Sequence, residues 1–179
     1  MTFLSQNINI EKNFLGYGLI SIYNKGECWI GEDFYFNVGK KFTPIGGDII
    51  CRLIILNKGI LKIGKNVGIS NSTIFTSKEI IIGDNVLIGG GCRIWDTDFH
   101  TLDPYIRIKE QDNNIISKPV KIENNVFIGG GSIILKGVNI GKNSIIGAGS
   151  VVSKDIPANE IWAGNPVKFI KKVTISNEF

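Results

Sequence analysis

The sequence is short of the residue types that build most metal-binding and disulfide-bonded sites. It has one histidine and three cysteines among 179 residues. The cysteines, Cys28, Cys51 and Cys92, are odd in number and too far apart to form a CxxC pair or a zinc-binding spacing. We therefore predict no metal site, and we expect the cysteines to be buried free thiols in a reducing compartment.

Long apolar runs and dense clusters of charge are also missing. No apolar run approaches 18 residues, and residues 1–10 have neither the basic region nor the apolar region of a signal peptide. The net charge is only +4, and the basic residues are not interleaved with aromatic residues in a nucleic-acid-binding motif. We predict a cytoplasmic protein with no membrane span and no nucleic-acid partner.

An apolar residue recurs every six positions over most of the chain. Twelve of twelve positions in this series are aliphatic or aromatic, whereas only 43% of the chain is hydrophobic, so the period does not arise by chance. The series comprises Ile63, Ile69, Phe75, Ile82, Ile88, Ile94, Ile122, Ile128, Ile134, Ile140, Ile146 and Val152.

The other positions of each six-residue unit are specialised too. Glycine directly follows the apolar residue in six units, and small or β-branched residues fill a later position: Val67, Thr73, Val86, Ser132, Val138 and Ser150. Between them stand residues that enter the left-handed conformation easily, as a corner requires: Asn66, Asn85, Gly91, Asn125, Gly131, Gly137, Asn143 and Gly149. A short strand and a corner in every unit predict a parallel β-helix with three units in each 18-residue coil.

We therefore predict one all-β domain over residues 1–179. Irregular N-terminal coils occupy 1–62, regular coils occupy 63–99 and 120–157, an extruded loop occupies 100–119, and a short tail occupies 158–179. The loop is polar and contains two prolines, and loops of that length without their own secondary structure are often functional.

The chain's only histidine lies at the root of this loop. Extending the six-residue register from Ile94 places Asp98 and His100 in inward positions that small and apolar residues normally occupy. Residues two apart on a strand face the same way, so we expect the carboxylate and the imidazole to be neighbours. A lone histidine is often only structural, but one oriented by a carboxylate is a suitable general base for a hydroxyl or amine nucleophile.

Three parts of the sequence resemble the hexapeptide-repeat acyltransferases. They are the six-residue repeats, the segment Trp95–His100, and the ending GAGSVVSKDIP at 147–157 followed by GNP at 164–166. The resemblance covers roughly 60–172 and is strongest to the maltose/galactoside acetyltransferase-like sugar O-acetyltransferases, including those of bacterial surface polysaccharide loci. It implies a left-handed β-helix and a homotrimer with active sites between subunits. It also implies an acetyl-CoA donor, a carbohydrate acceptor, and His100 as the catalytic base.

The resemblance also assigns binding residues. Asn71 and Asp96 are the residues predicted to bind the acceptor. The residues predicted to bind acetyl-CoA are Phe127, Gly130, Ala148, Ser153, Lys154, Lys168 and Lys171. Small residues let an extended pantetheine arm approach the backbone, and lysines attract phosphates.

The sequence departs from the family in three places. Phe127 replaces the usual tryptophan, Asp-Thr-Asp-Phe-His replaces the usual Thr-Ala-x-His-Pro, and no helical N-terminal segment is evident. The second change suggests a carboxylate helper for the histidine.

Other functions share the same pattern. N-acetylation of an amino-sugar nucleotide, or acetylation of serine or an antibiotic, would use the same catalytic residues with a different acceptor pocket. A repeat scaffold without catalysis would make His100 dispensable. A β-helical carbonic anhydrase needs three zinc-binding histidines and is excluded by the single histidine.

Overall fold

Three parallel sheets form the sides of a long prism. The computed structural model describes residues 2–3, 8–43, 50–109 and 114–174. From β1 to β19, successive strands enter sheets A, B and C in turn, so that each coil of chain adds one layer to the prism. Every strand pairing described within the three sheets is parallel except the last one in sheet C, between β20 and β21.

The strands are short, as the six-residue repeat predicts. Sheet A contains β1 (Thr2–Phe3), β4 (Ile20–Asn24), β7 (Cys51–Ile55), β10 (Thr73–Thr76), β13 (Arg93–Trp95), β16 (Ile133–Ile134) and β19 (Val151–Val152). Sheet B contains β2 (Ile8–Ile10), β5 (Glu27–Ile30), β8 (Ile60–Ile63), β11 (Glu79–Ile82), β14 (Val120–Ile122) and β17 (Asn139–Ile140). Sheet C contains β3 (Leu15–Tyr17), β6 (Tyr35–Asn37), β9 (Gly68–Ser70), β12 (Leu87–Ile88), β15 (Phe127–Ile128), β18 (Ile145–Ile146), β20 (Glu160–Ala163) and β21 (Lys168–Lys172).

The core is a set of aliphatic columns along the prism axis. Residues of the six-residue series lie directly above one another, for example Ile82 on Ile122 in sheet B and Ile88 on Ile128 in sheet C. These side chains are at most 3% exposed. Identical branched residues in register fill each layer in the same way, which explains the preference for isoleucine at these positions.

The predicted register is wrong in one unit. Phe75 and Thr73 face outward, whereas Ile74 and Thr76 are the buried residues of that strand. The step from Ile69 to the buried Ile74 is five residues instead of six, because the corner at Asn71 is shorter than the others. Phe75 therefore belongs to the surface of sheet A.

The ends of the prism are more regular than predicted. Strands from β4 onward already lie in register with the later coils, for instance Ile30 beside Ile63, so the coils before residue 63 share the same architecture. Between β6 and β7 the structure describes residues 38–43 and residue 50. At the other end, β20 extends sheet C and pairs with β21, so much of the predicted tail is β-structure.

An asparagine-rich column lines the corner between sheets B and C. Its members all have positive φ: Asn13, Asp33, Asn66, Asn85, Asn125, Asn143 and Asn159. From Asn66 onward each side-chain amide donates to the next, over distances of 2.9, 3.1, 2.8 and 2.7 Å. All eight corner residues predicted to be left-handed have positive φ, which confirms that part of the pattern.

Two substitutions at Asn85 should separate backbone strain from hydrogen bonding. Both Asn85→Ala and Asn85→Gly remove the amide bonds to Asn66 and Asn125. Only alanine is strained at the φ of 57°. We expect the alanine variant to lose about 1 kcal/mol more free energy of unfolding than the glycine variant. Urea denaturation at one protein concentration measures the free energy of unfolding of both variants. Equal losses in the two variants would show that alanine is not strained at this φ.

The cysteines are buried and free, as predicted. Burial raises the pKa of the Cys28 thiol to about 12 and that of the Cys51 thiol to about 11. Because a raised pKa keeps a thiol protonated at neutral pH, and the thiolate is the reactive form, these cysteines should react slowly in the folded protein.

Candidate active site

The chain leaves the prism between β13 and β14, at the edge shared by sheets A and B. A short antiparallel clasp closes the neck of this loop. Thr97 pairs with Ser117, the Asp98 N–H donates to the Ile116 carbonyl over 3.1 Å, and the Ser117 hydroxyl donates to Thr97 Oγ1 over 2.9 Å. The loop is therefore held at a fixed point on the prism.

The loop also contains a helical turn, where the sequence predicted only irregular chain. Helix α1 (Pro104–Ile108) begins after Asp103, whose carboxylate accepts hydrogen bonds from the backbone N–H groups of Tyr105 and Ile106. The Arg107 guanidinium donates to the Thr101 carbonyl over 2.9 Å, which ties α1 to the chain next to His100. No helix in the described part of the chain is long enough to cross a membrane.

Asp96, which the sequence predicts to bind the acceptor, lies inside this edge of the prism. Its side chain is completely buried. Its carboxylate accepts hydrogen bonds of 2.7 Å from three successive backbone N–H groups, those of Ser77, Lys78 and Glu79. These groups belong to the corner of the preceding coil, so Asp96 joins two coils beneath the loop.

Asp98 lies on the outer side of the neck, which corrects its predicted inward position. Its Oδ1 forms an ion pair with the Lys136 ammonium of the next coil, and both side chains are less than one quarter exposed. Its Oδ2 is buried and has no hydrogen-bond partner among the described residues. One carboxylate oxygen of Asp98 therefore retains its full capacity to accept a hydrogen bond.

His100 is exposed, so its predicted place in the core is also wrong. The cause is Phe99, which has a φ of 64°. A strand alternates its side chains between two faces only while the backbone stays extended, and the left-handed residue ends that alternation. The chain turns outward at Phe99 and places His100 at the surface of the loop root, while the next residue, Thr101, is buried.

An aromatic cluster lies beside the loop root on the outer face of sheet A. Phe75 and Trp95 are neighbours in register, and the Phe99 ring packs on both. The ring centroid of Phe99 is 4.8 Å from that of Phe75 and 5.8 Å from that of Trp95. The six-residue register placed Phe75 in the core and so did not predict this cluster. The available signal was three aromatic residues within 25 positions, on two adjacent coils.

Asn71 is placed at the opposite edge of sheet A, where sheet C ends. It is completely buried in the protomer, has a φ of 39°, and its side-chain oxygen accepts a hydrogen bond of 3.0 Å from the Gly39 N–H. Gly39 lies two residues after the end of β6. In this protomer Asn71 therefore joins the end of β6 to the corner of the next coil.

Four of the seven residues predicted to bind acetyl-CoA lie at two edges of the prism. Gly130 and Ala148 lie one above the other at the C–A edge, where the Gly149 N–H donates to the Gly130 carbonyl over 2.9 Å. Ser153 and Lys154 lie exposed at the A–B edge, which also carries the loop. The Lys154 ammonium lies 5.0 Å from the centroid of the Trp162 ring.

The remaining three lie on sheet C. Phe127 projects from its outer face and is 45% exposed, and Lys168 and Lys171 are exposed on the edge strand β21. Within one protomer, His100 and the Gly130–Ala148 edge thus lie on opposite sides of sheet A. The structure places His100, Asp98 and Lys154 together at the A–B edge. Gly130 and Ala148 lie at the C–A edge, which we call the small-residue edge.

The repeat matches a family described as "Hexapeptide repeat of succinyl-transferase", over residues 79–94 and 119–154. The chain is 36% identical over 150 residues to a galactoside O-acetyltransferase from Lactococcus lactis, an alignment that covers 84% of this chain and 62% of that protein. The chain is therefore similar to the hexapeptide-repeat acetyltransferases. It spans roughly half to three fifths of the length of its curated relatives.

Solved structures of this family share the fold. An N-acyltransferase from Bacillus cereus, solved with dTDP and 3-hydroxybutyryl-CoA, is 25% identical with a TM-score of 0.74, and the match covers 94% of this chain and 85% of that one. A hexapeptide-repeat acetyltransferase from Vibrio cholerae, solved with acetyl-CoA, is 32% identical with a TM-score of 0.57, over 70% of this chain and 61% of that one. The prediction of a left-handed parallel β-helix is confirmed.

Proposed function

We propose that this protein is an acetyl-CoA-dependent O-acetyltransferase that modifies a sugar hydroxyl of a bacterial surface polysaccharide or its precursor. The observation that carries the proposal is the chain's only histidine, which is exposed at the anchored root of the loop. It stands two residues after Asp98, whose buried Oδ2 has no hydrogen-bond partner among the described residues. The similarity to a galactoside O-acetyltransferase, and to an acetyltransferase solved with acetyl-CoA, supports the reaction and the donor.

In the proposed reaction the acceptor hydroxyl attacks the thioester carbonyl directly. A hydroxyl is a weak nucleophile at neutral pH, so His100 accepts its proton as the new C–O bond forms. The tetrahedral intermediate then collapses, the C–S bond breaks, and the imidazolium returns the proton to the departing thiolate. A backbone N–H of a neighbouring coil is the proposed donor to the oxyanion.

Asp98 is the proposed partner of the His100 imidazole. Its Oδ2 is the available acceptor, since Oδ1 pairs with Lys136. A hydrogen bond from one imidazole nitrogen to Oδ2 would leave the other nitrogen unprotonated and ready to accept the hydroxyl proton.

Acetyl-CoA is proposed to lie along the small-residue edge. A side chain larger than that of Gly130 or Ala148 would block the approach of the pantetheine arm to the backbone. Phe127 would contact the arm, Ser153 would hydrogen-bond to it, and the exposed ammonium groups of Lys154, Lys168 and Lys171 would meet the phosphates.

A homotrimer with active sites between subunits would explain why His100 and the proposed acetyl-CoA site are separated within one protomer. His100 and the small-residue edge lie on opposite sides of sheet A, so a neighbouring protomer would bring the two edges together. The outer face of sheet C also bears a column of apolar residues in register: Leu15, Tyr35, Leu87, Phe127, Ile145 and Ile161. An apolar face of this kind favours burial against another subunit. The donor and the buried free thiols support a cytoplasmic location.

The second candidate is N-acetylation of an amino-sugar nucleotide. It is favoured by the similarity in fold to the Bacillus cereus N-acyltransferase, which has been solved with dTDP-4-amino-4,6-dideoxyglucose and coenzyme A. An amine acceptor would use the same base, and Asn71 would then face a different acceptor group.

An acetyl-CoA thiol-release assay with a panel of sugars tests the proposed function. The panel should hold simple galactosides, glucosides, N-acetylhexosamines, an amino-sugar nucleotide and serine. We expect sugar-dependent release of CoA and a rise in melting temperature with acetyl-CoA alone. The buried cysteines, with their raised pKa values, should leave the thiol reagent free to report CoA. No melting shift and no release with any acceptor would reject the proposal.

A further inference from the structure

Phe99 combines two properties that are rarely found together. It is a bulky residue with a φ of 64°, a conformation that such residues seldom adopt, and it stands immediately before the chain's only histidine. Strained backbone of this kind persists only where the surrounding structure enforces it, and it is frequent at functional sites. The contacts that enforce the strain should therefore also determine where His100 lies.

The enforcing contacts come from the aromatic cluster of Phe75, Trp95 and Phe99. The Phe99 ring packs on two side chains of adjacent strands in sheet A, over centroid distances of 4.8 and 5.8 Å. These strands belong to the rigid prism, whereas Phe99 belongs to the loop root. The ring thus fixes the turned backbone to the prism on one side of His100.

A second anchor lies on the other side of His100. Thr101 is buried, and its carbonyl accepts the hydrogen bond from Arg107 of α1. His100 is held between these two anchors, so the direction of its exposed side chain depends on the backbone torsions at Phe99. Without the ring, the turn at Phe99 would be held only through its neighbours in the chain, by the clasp at Asp98 and by the Thr101 anchor.

We propose that Phe99 is a positioning residue for His100: its ring, packed on Phe75 and Trp95, holds the left-handed turn that presents the imidazole to the acceptor. The catalytic part of this inference rests on the proposed function. Misplacement of a catalytic group by about 1 Å can reduce the rate by about 100-fold, so a surface ring can have a large effect.

Three substitutions distinguish the ring from the turn. Phe99→Ala removes the ring and leaves the strain, Phe99→Gly removes the ring and accepts the positive φ freely, and Phe99→Tyr retains the ring. Phe42→Ala is the matched control, because Phe42 is 42% exposed where Phe99 is 39% exposed, and Phe42 stacks on Tyr17 over the same 4.8 Å.

The imidazole itself supplies a readout independent of activity. Since the chain has one histidine, its Cε1–H group gives a single NMR cross peak that needs no assignment. We expect the peak to move and broaden in Phe99→Ala and Phe99→Gly, and to stay in place in Phe99→Tyr and Phe42→Ala. We expect kcat to fall about 10- to 100-fold in the first two variants with the KM for acetyl-CoA unchanged, and to be retained in the other two.

Each remaining outcome has a definite meaning. An unmoved peak in Phe99→Ala, or wild-type kcat in Phe99→Gly, overturns the positioning role. A moved peak with unchanged kcat also overturns it, because the position would not matter for transfer. If the wild type shows no transfer, the proposed function fails, while an unmoved peak in Phe99→Ala would still show that Phe99 does not set the position of the imidazole.

Discussion

His100→Ala is expected to lower kcat by about 10² to 10⁴, the usual contribution of a positioned general base. The imidazole is exposed at the loop root and makes no part of the core, so the variant should keep the wild-type melting temperature. The acetyl-CoA-induced rise in melting temperature should also remain, because the residues proposed to bind acetyl-CoA do not include His100. Steady-state rates of CoA release, with a saturating sugar acceptor, measure the effect.

The matched comparison is Asp98→Asn, which keeps the shape of the side chain and replaces the carboxylate oxygen that is free to accept from the imidazole. We expect a smaller fall in kcat than for His100→Ala, and no change in acetyl-CoA binding. Full activity of His100→Ala would remove the base from the mechanism and would favour a scaffold without histidine catalysis. A wild-type rate in Asp98→Asn would remove Asp98 alone.

Asp96→Ala is expected to destabilise the fold by about 3 to 5 kcal/mol, the range for losing one partner of a buried charged interaction. Its carboxylate is fully buried and satisfies three backbone N–H groups, at Ser77, Lys78 and Glu79. Removal leaves all three donors without their acceptor at the edge that carries the loop. Urea denaturation at one protein concentration, followed by circular dichroism, measures the change.

Asp98→Ala is the control for that experiment, since it lies two residues away and pairs with a single ammonium, that of Lys136. We expect a smaller loss for Asp98→Ala than for Asp96→Ala, because Asp98 forms one ion pair and its Oδ2 accepts no hydrogen bond among the described residues. If Asp96→Ala were as stable as the wild type but had a raised KM for the sugar, the acceptor-binding role predicted from sequence would be restored and the structural role would be wrong.

The repeating part of the fold could be predicted because its physics is local. Every coil requires a buried branched residue at one position and a left-handed residue at another. Ile128 and Ile146 are therefore the same residue type at equivalent buried positions, and Asn125 and Asn143 are the same at equivalent corners. The number of residues in a corner is not marked by a recurring residue type. The shorter corner at Asn71 therefore moved Phe75 from the predicted core to the surface.

The candidate site could be located but not assembled from the sequence. The break in the repeat located His100 and the loop. The positive φ of Phe99 depends on packing against strands in two coils, and the burial of Asp96 depends on backbone donors some twenty residues earlier. Such contacts follow from the three-dimensional register of the coils. The alternation of side chains along a strand therefore wrongly predicted that Asp98 and His100 point into the prism.

The central claim is that this protein transfers an acetyl group from acetyl-CoA to a sugar hydroxyl with the help of His100. Mass spectrometry of a reaction with isotope-labelled acetyl-CoA tests it most directly. We predict that the label appears on an oxygen of the sugar in an amount equal to the CoA released, and that His100→Ala forms little of this product while still binding acetyl-CoA. Label found only as free acetate, or an equal yield from His100→Ala, would contradict the claim.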